Sequence, residues 1–321
     1  MSSAQRSALA LALALAGCSL EAPVQIAPCG GRMVTGTDAI YVACPLLARL
    51  DLDGTVRWGV GEVVAGPVVP PAGDELYWAG VADGRSGVHA QAKASGATRP
   101  LATPLSVAAR IDSVAVAGDR VFWIESDGPP TTWTLRQVPR VGGTATTVLS
   151  STTALASLGG DAAALYWLAG GATVADGLDV TRLDLATGVV TRLAHLDAIA
   201  DRLASLAEPG GVVVAVYQPD ATIDAYRVRI GAPQPLLLGE DIRGTLAAAD
   251  DRLMLGALRF DGAAATRILP AQPHSVDWVG LVGDDVYFTD GFALWRRPYA
   301  GEPSPQVPRF GLGPPLVGRP P

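Results

Sequence analysis

The chain has 321 residues, 49% of them apolar, and a formal net charge of −7. That balance provides no basic footprint for nucleic acid and no direct attraction to anionic lipid. Its 37 glycines and 25 prolines interrupt the apolar sequence so often that short strands and tight turns are expected in place of long helices.

Met1 to Arg6 is a short polar start with one basic side chain, followed over Ser7 to Ala16 by a run dominated by Ala and Leu. A transmembrane helix needs about 20 apolar residues, and this run has roughly half that. A basic start, a short apolar region and a small-residue exit form a cleaved secretory signal. Leu15-Ala16-Gly17-Cys18 then resembles the lipobox of bacterial lipoproteins. The resemblance implies cleavage before Cys18, a diacylglyceryl group on its thiol and acylation, as by palmitate, of the new amine. Two or more acyl chains anchor firmly, whereas one binds only marginally. Residues 1–17 are thus expected to be a signal peptide and residues 18–31 a lipidated tether, in which Pro23 and Pro28 discourage regular structure. In the sorting pattern of such lipoproteins an Asp after the cysteine favours inner-membrane retention, so Ser19 points to the outer membrane of the cell envelope. Cys29 and Cys44 remain unmodified, and export makes a disulfide between them an expectation. The alternative is two buried thiols, because the pair supplies too few ligands for a structural metal.

From residue 32 to residue 311 one pattern recurs. Its clearest copy is Gly118-Asp119-Arg120-Val121-Phe122-Trp123, with relatives at Gly73 to Trp78, Gly160 to Trp167 and Gly283 to Phe288. Gly and Asp suit a tight turn, and the β-branched and aromatic residues suit a pleated, buried strand. A second strand follows, as at Trp133 to Val138, Val180 to Leu185 and Ala293 to Arg297. In the middle one of these, Thr181, Leu183 and Leu185 point one way and Arg182 and Asp184 the other. The anchors Tyr41, Tyr77, Phe122, Tyr166, Val214, Met254 and Tyr287 lie 33 to 48 residues apart, 41 on average. Repeats of about 40–50 residues, each with roughly four short strands, are the signature of a β-propeller. The expected class is therefore all-β, a propeller of seven blades, with residues near Arg32 to Val34 completing the final blade. Residues 312–321 read as a Gly/Pro-rich tail.

Val121-Phe122-Trp123, Leu135 to Pro139 and Gly142-Gly143 resemble the repeats of bacterial exported proteins built from TolB-like or NHL-like propellers. Val286-Tyr287-Phe288, Leu294 to Pro298 and Ala300-Gly301 repeat the likeness. The resemblance implies a binding role in the envelope, without specifying chemistry.

Catalytic signals are sparse. His89, His195 and His274 fall in different repeats without metal-ligand spacing, and each reads as an ordinary loop or strand histidine. Asp51-Leu52-Asp53-Gly54 offers too few oxygens for calcium and reads as a hairpin turn. Trp78, Trp123 and Trp167 hold equivalent repeat positions and are expected to pack between blades. The segments Ala79–Gly87, Ser126–Thr132 and Ala169–Leu178 lengthen their units, and such inserts gather on one face of a repeat fold. Trp133 and Tyr226 are the contact candidates there. No catalytic residue, metal or cofactor is assigned from sequence. The expectation is a non-enzymatic envelope lipoprotein, held to a membrane by its lipid and binding a protein, peptide or glycan. The rival is a propeller hydrolase or lyase with its active site at a central channel.

Overall fold

The computed structural model describes residues 33–44, 46–52, 55–70, 73–106, 108–128, 131–170, 176–197, 204–208, 210–217, 223–239, 245–249, 252–261, 264–267, 269, 278–289 and 294–300. Cys18, Cys29, His274 and residues 312–321 lie outside them, and Cys44 is described only as the backbone end of a strand.

The all-β expectation holds. Strands β1 (Met33–Thr35), β2 (Ala39–Cys44), β3 (Leu46–Asp51), β4 (Val56–Val68), β5 (Glu75–Ala82), β6 (Arg85–Ala92) and β7 (Thr98–Ala102) form one seven-stranded sheet. A four-stranded sheet follows with β8 (Arg110–Ala117), β9 (Arg120–Asp127), β10 (Thr132–Pro139) and β11 (Thr146–Ser151). The next holds β12 (Ala154–Gly160), β13 (Ala164–Gly170), β14 (Leu178–Asp184) and β15 (Val190–Leu196). Two more hold β16 (Ala204–Glu208), β17 (Gly211–Tyr217), β18 (Ile223–Arg229) and β19 (Leu236–Gly239), then β20 (Leu246–Ala249), β21 (Arg252–Leu255), β22 (Leu258–Asp261) and β23 (Ala264–Arg267). A three-stranded sheet of β24 (Trp278–Val282), β25 (Asp285–Thr289) and β26 (Leu294–Pro298) ends the series. All pairings are antiparallel, between strands consecutive in the chain. These sheets resemble propeller blades.

The seven sequence anchors all fall on the equivalent strand, the one after the first turn of each unit: β2, β5, β9, β13, β17, β21 and β25. That strand is buried on both faces because a neighbouring sheet covers each, so its sequence is a continuous apolar run instead of an alternation. Phe122 and Ile124 pack towards β12–β15 while Val121 and Trp123 pack towards β4–β8. Trp123 and Trp167 are buried between sheets as expected, at 0% and 2% exposure, and Trp78, at 0%, is buried against β2–β4 of its own long sheet. Reading each unit from its Gly-Asp turn missed the strand preceding the turn, which opens the sheet. Those opening strands run side by side in one direction. Leu158 N of β12 donates to Ser113 Oγ of β8 at 3.0 Å, and a Cβ on Gly160 would run into Val116 O.

The expected role of residues near Val34 is corrected. β1 pairs with β2, matching Met33 to Val42 and Val34 to Tyr41, and not with the final sheet. Gly36 N bonds to Ala39 O at 2.8 Å, so a tight hairpin offers β1 its nearest partner in the chain. The first and last sheets still touch. Trp278 Nε1 donates to Met33 O at 2.6 Å, and Ile40, Val42 and Leu50 pack with Trp278, Val282 and Tyr287.

Candidate functional site at the insert-bearing end

Antiparallel pairing gives each sheet two ends. At one, the opening strand begins: Arg110 faces Ser126, Ala154 faces Gly170, and Leu178 faces Leu196. The three segments singled out as inserts all lie at this end. One of them is smaller than expected. Ala79–Gly87 is a hairpin in which β5 and β6 pair up to Ala82 and Arg85 around Asp83-Gly84. The other two contain residues outside the description.

A buried ion pair supports this end beneath β8–β10. Arg136 Nη1 donates to Glu125 Oε1 at 3.0 Å, with the two side chains 9% and 2% exposed. Trp123 Nε1 donates to the same oxygen, and the Arg136 guanidinium lies 5.2 Å from the Trp123 ring centre. Glu125 Oε2 accepts from Leu105 N at 3.0 Å, and Arg136 Nη1 also reaches Thr103 O at 3.2 Å. The pair therefore ties the connection between β7 and β8 onto the second sheet. Buried charges persist only when paired and hydrogen-bonded in this way.

Above it lies a partly exposed rim. The pairing of β8 with β9 slips between Ile111 and Ser113, leaving Asp112 as an unpaired bulge residue. Bulges re-aim a side chain out of the regular alternation. Asp112 Oδ2 accepts from Ser126 Oγ at 2.6 Å, and its other oxygen lies 3.6 Å from Arg110, whose side chain is 84% exposed. Asp127 Oδ1 accepts from Ser106 Oγ at 3.4 Å and from Gly128 N at 3.0 Å. At the same end of the neighbouring strands, Val64, Val81 and Leu105 are exposed. Apolar walls with a few fixed polar groups are the usual make-up of a binding site.

One sheet further on, β14 and β15 bring Asp179 opposite His195. His195 Nδ1 lies 2.7 Å from Asp179 Oδ1, and Arg192 Nη1 lies 3.5 Å from the same oxygen. A Cβ on Gly177 would run into the His195 ring, and Gly177 has φ +65°. The other described histidine differs. His89 is buried, its ring centre 4.6 Å from that of Trp78 and its Nε2 3.3 Å from Gly80 O, and burial pushes its pKa below the ordinary histidine range.

Trp133 and Tyr226 are only partly buried, but both pack against core clusters, so neither is a free rim residue. Long aromatic side chains beside a loop fill the gap between adjacent sheets. Asp51 is held by Arg49 at 2.8 Å and by Arg57, which lower its pKa and use its oxygens. Sequence reasoning missed Asp112, Ser126 and Asp179. Their only signal was position near the inserts, since none belongs to the repeating pattern.

No protein-family model matches the chain, and no curated protein sequence matches it significantly. Solved structures do match in fold. A Mycobacterium tuberculosis puromycin-hydrolysing peptidase superposes with TM-score 0.60 at 13% identity, over 93% of this chain and 56% of that one. The chain thus spans about half the length of that peptidase. An oligogalacturonate lyase from Vibrio parahaemolyticus gives TM-score 0.57 at 10% identity, over 86% of this chain and 89% of that one. An oligogalacturonate lyase in complex with manganese gives 0.54 at 12%, over 79% and 82%. Among the described residues no three of His, Cys, Asp and Glu stand close enough to hold a metal ion. At these identities the likeness carries the fold alone. It also corrects the non-enzymatic expectation: propeller-like folds distantly related to this one belong to a peptidase and to lyases. The chain has a propeller-like all-β fold related distantly to those of hydrolases and lyases.

Proposed function

We propose that the chain is a lipid-anchored envelope hydrolase or lyase that works at the insert-bearing end of a seven-bladed propeller. One observation carries the catalytic part: the bulge at Asp112 turns a carboxylate outward, fixes it through Ser126, and sets Arg110 beside it near exposed Val64, Val81 and Leu105. A carboxylate held by a hydroxyl and flanked by a guanidinium can bind and position a polar oligomer. The seven-blade count follows from treating the two halves of β4 as the last strand of one blade and the first of the next. β3 pairs with its beginning, from Val56 to Glu62, and β5 with its end, from Glu62 to Val68. Contact between the first and last sheets supports a closed ring, with the opening strands around a channel that ends at this rim.

The TolB-like or NHL-like repeat pattern agrees with an exported location, and the lipobox at Cys18 supports attachment to the envelope, in the outer membrane by the sorting pattern at Ser19. Cys18→Ser is expected to move the protein from the membrane to the soluble fraction. Labelling of Cys29 and Cys44 without reductant would remove the proposed disulfide. The catalytic reading is tested by offering the full chain panels of peptides and oligosaccharides. Turnover is expected, with kcat/KM lowered at least ~10-fold in Arg110→Ala/Asp112→Asn. No turnover on either panel would sink it.

A further inference from the structure

We propose that His195 is the proton-transfer group of the insert-bearing end, with Asp179 as its positioning residue; this rests on the reading of that end as catalytic. The pair sits on β14 and β15, two strands whose register places the side chains opposite each other. Strands hold such a pair more rigidly than loops do. A carboxylate that is ionised can only accept, so the 2.7 Å contact puts the imidazole proton on Nδ1. Nε2 is left as the basic nitrogen, and the ring stays reachable, the His195 side chain being 46% exposed. The Gly177 backbone lies against Nε2 and Cε1, close enough that any side chain there would collide with them, so only glycine lets the ring keep this position. Asp179 Oδ1 lies 2.7 Å from His195 Nδ1 and 3.5 Å from Arg192 Nη1, so the carboxylate facing the ring is also within reach of a guanidinium. A base oriented by a third group is the recurring plan of acid–base catalysis. His89 has none of these features.

The substrate class is an amide or a glycosidic bond. In amide hydrolysis, Nε2 takes a proton from water while the water oxygen's electron pair forms the bond to the carbonyl carbon and the C=O π pair moves onto the carbonyl oxygen. The imidazolium, stabilised by Asp179, returns that proton to the departing nitrogen as the C=O bond re-forms and the C–N bond breaks. In elimination the proton comes from a carbon next to a carboxyl group, the C–H pair becomes the new double bond, and the departing oxygen receives the proton. Either cycle leaves His195 neutral and consumes nothing beyond substrate and, for hydrolysis, water.

The test uses the full chain. His195→Gln is expected to lower kcat by about 100-fold or more with KM within about twofold, the size of a lost general base. The low-field proton signal of the Nδ1 hydrogen bond should vanish in His195→Gln and in Asp179→Asn, and Asp179→Glu should recover part of both signal and rate. Wild-type kcat in a folded His195→Gln protein would overturn the assignment alone. If the unaltered chain turns over no substrate while the proton signal is present, the catalytic reading falls, and the assignment with it.

Discussion

The two ends of the sheets use charge differently. At the end with the Gly-Asp turns, carboxylates are fastened to guanidinium groups in a recurring arrangement. Tyr41 faces Arg49, Tyr166 faces Arg182 and Tyr287 faces Arg296 across equivalent strand pairs, with Asp51, Asp184 and Asp285 completing the sets. The second unit reaches the same result by another route. Arg99 grips Glu75 with two bonds of 2.8 and 2.7 Å, and Arg140 donates to the Tyr77 hydroxyl at 3.0 Å. At the insert-bearing end the bulge of the opening strand recurs at Val64 in β4 and at Ser157-Leu158 in β12, but of these three copies only the one in β8 carries a carboxylate, Asp112. Repetition marks what every unit needs to fold, and departure from it marks what one place needs to do.

The sharpest way to break this contrast is to cut the support under the insert-bearing end. Glu125→Ala leaves Arg136 buried without its partner and is expected to cost about 3–5 kcal/mol in urea unfolding. A loss below ~1 kcal/mol would mean that the rim does not depend on the pair. At the other end, Asp161 accepts from Ala163 N and Ala164 N at 2.7 Å each and from the Tyr166 hydroxyl at 3.2 Å. Asp161→Ala should cost about 1–2 kcal/mol by the same assay, as the loss of a turn-closing side chain.

Tyr41 sharpens the comparison among equivalent tyrosines. Its hydroxyl is buried without a partner among the described residues, whereas those of Tyr77 and Tyr166 are bonded. Tyr41→Phe is therefore expected to raise stability by about 1 kcal/mol. Burial pushes the Tyr41 pKa up to about 12. The folded state then holds the proton more tightly than the unfolded chain, whose value is near 10. This stabilisation is intact below pH 10 and is lost as the pH rises from 10 to about 12, so the alkaline loss should shrink in Tyr41→Phe.

On the acid side the sign reverses. Burial opposes the shift at Asp51, but hydrogen bonds from Arg57 and Arg49 outweigh it; Arg99 lowers Glu75, and Arg182 with Thr187 holds Asp184 at about 2. Their contribution is present above about pH 4 and is lost as the pH falls towards about 2, which acid titration of the unfolding midpoint will register. The smallest effect is expected at Val141, on an exposed turn at 89% exposure. Val141→Ser should change stability by no more than ~0.5 kcal/mol.

Much of the fold was legible because it is periodic. Glycine at the turns, an aromatic at most anchors and arginine on the next strand recur often enough for the units to be aligned by eye. The opening strands were harder. Ala154 to Gly160 and Leu246 to Ala249 consist mostly of small apolar residues, and their strand character comes from packing side by side across units. The site was least legible. Asp112 depends on a bulge, and Asp179 meets His195 only through a pairing register 16 residues apart. Neither leaves a mark in a pattern read along the chain.

β4 has a consequence for how the molecule opens. Its 13 residues bond to β3 at one end and to β5 at the other, with no loop between the two stretches. Strands joined by a loop can peel away separately; strands that share one backbone rod transmit tension along it. The first two units should therefore exchange their amide hydrogens as a single block, while later units, linked by loops, open in smaller pieces. The stiffest part of the fold would then be its beginning, the part that follows the proposed lipid anchor in the chain.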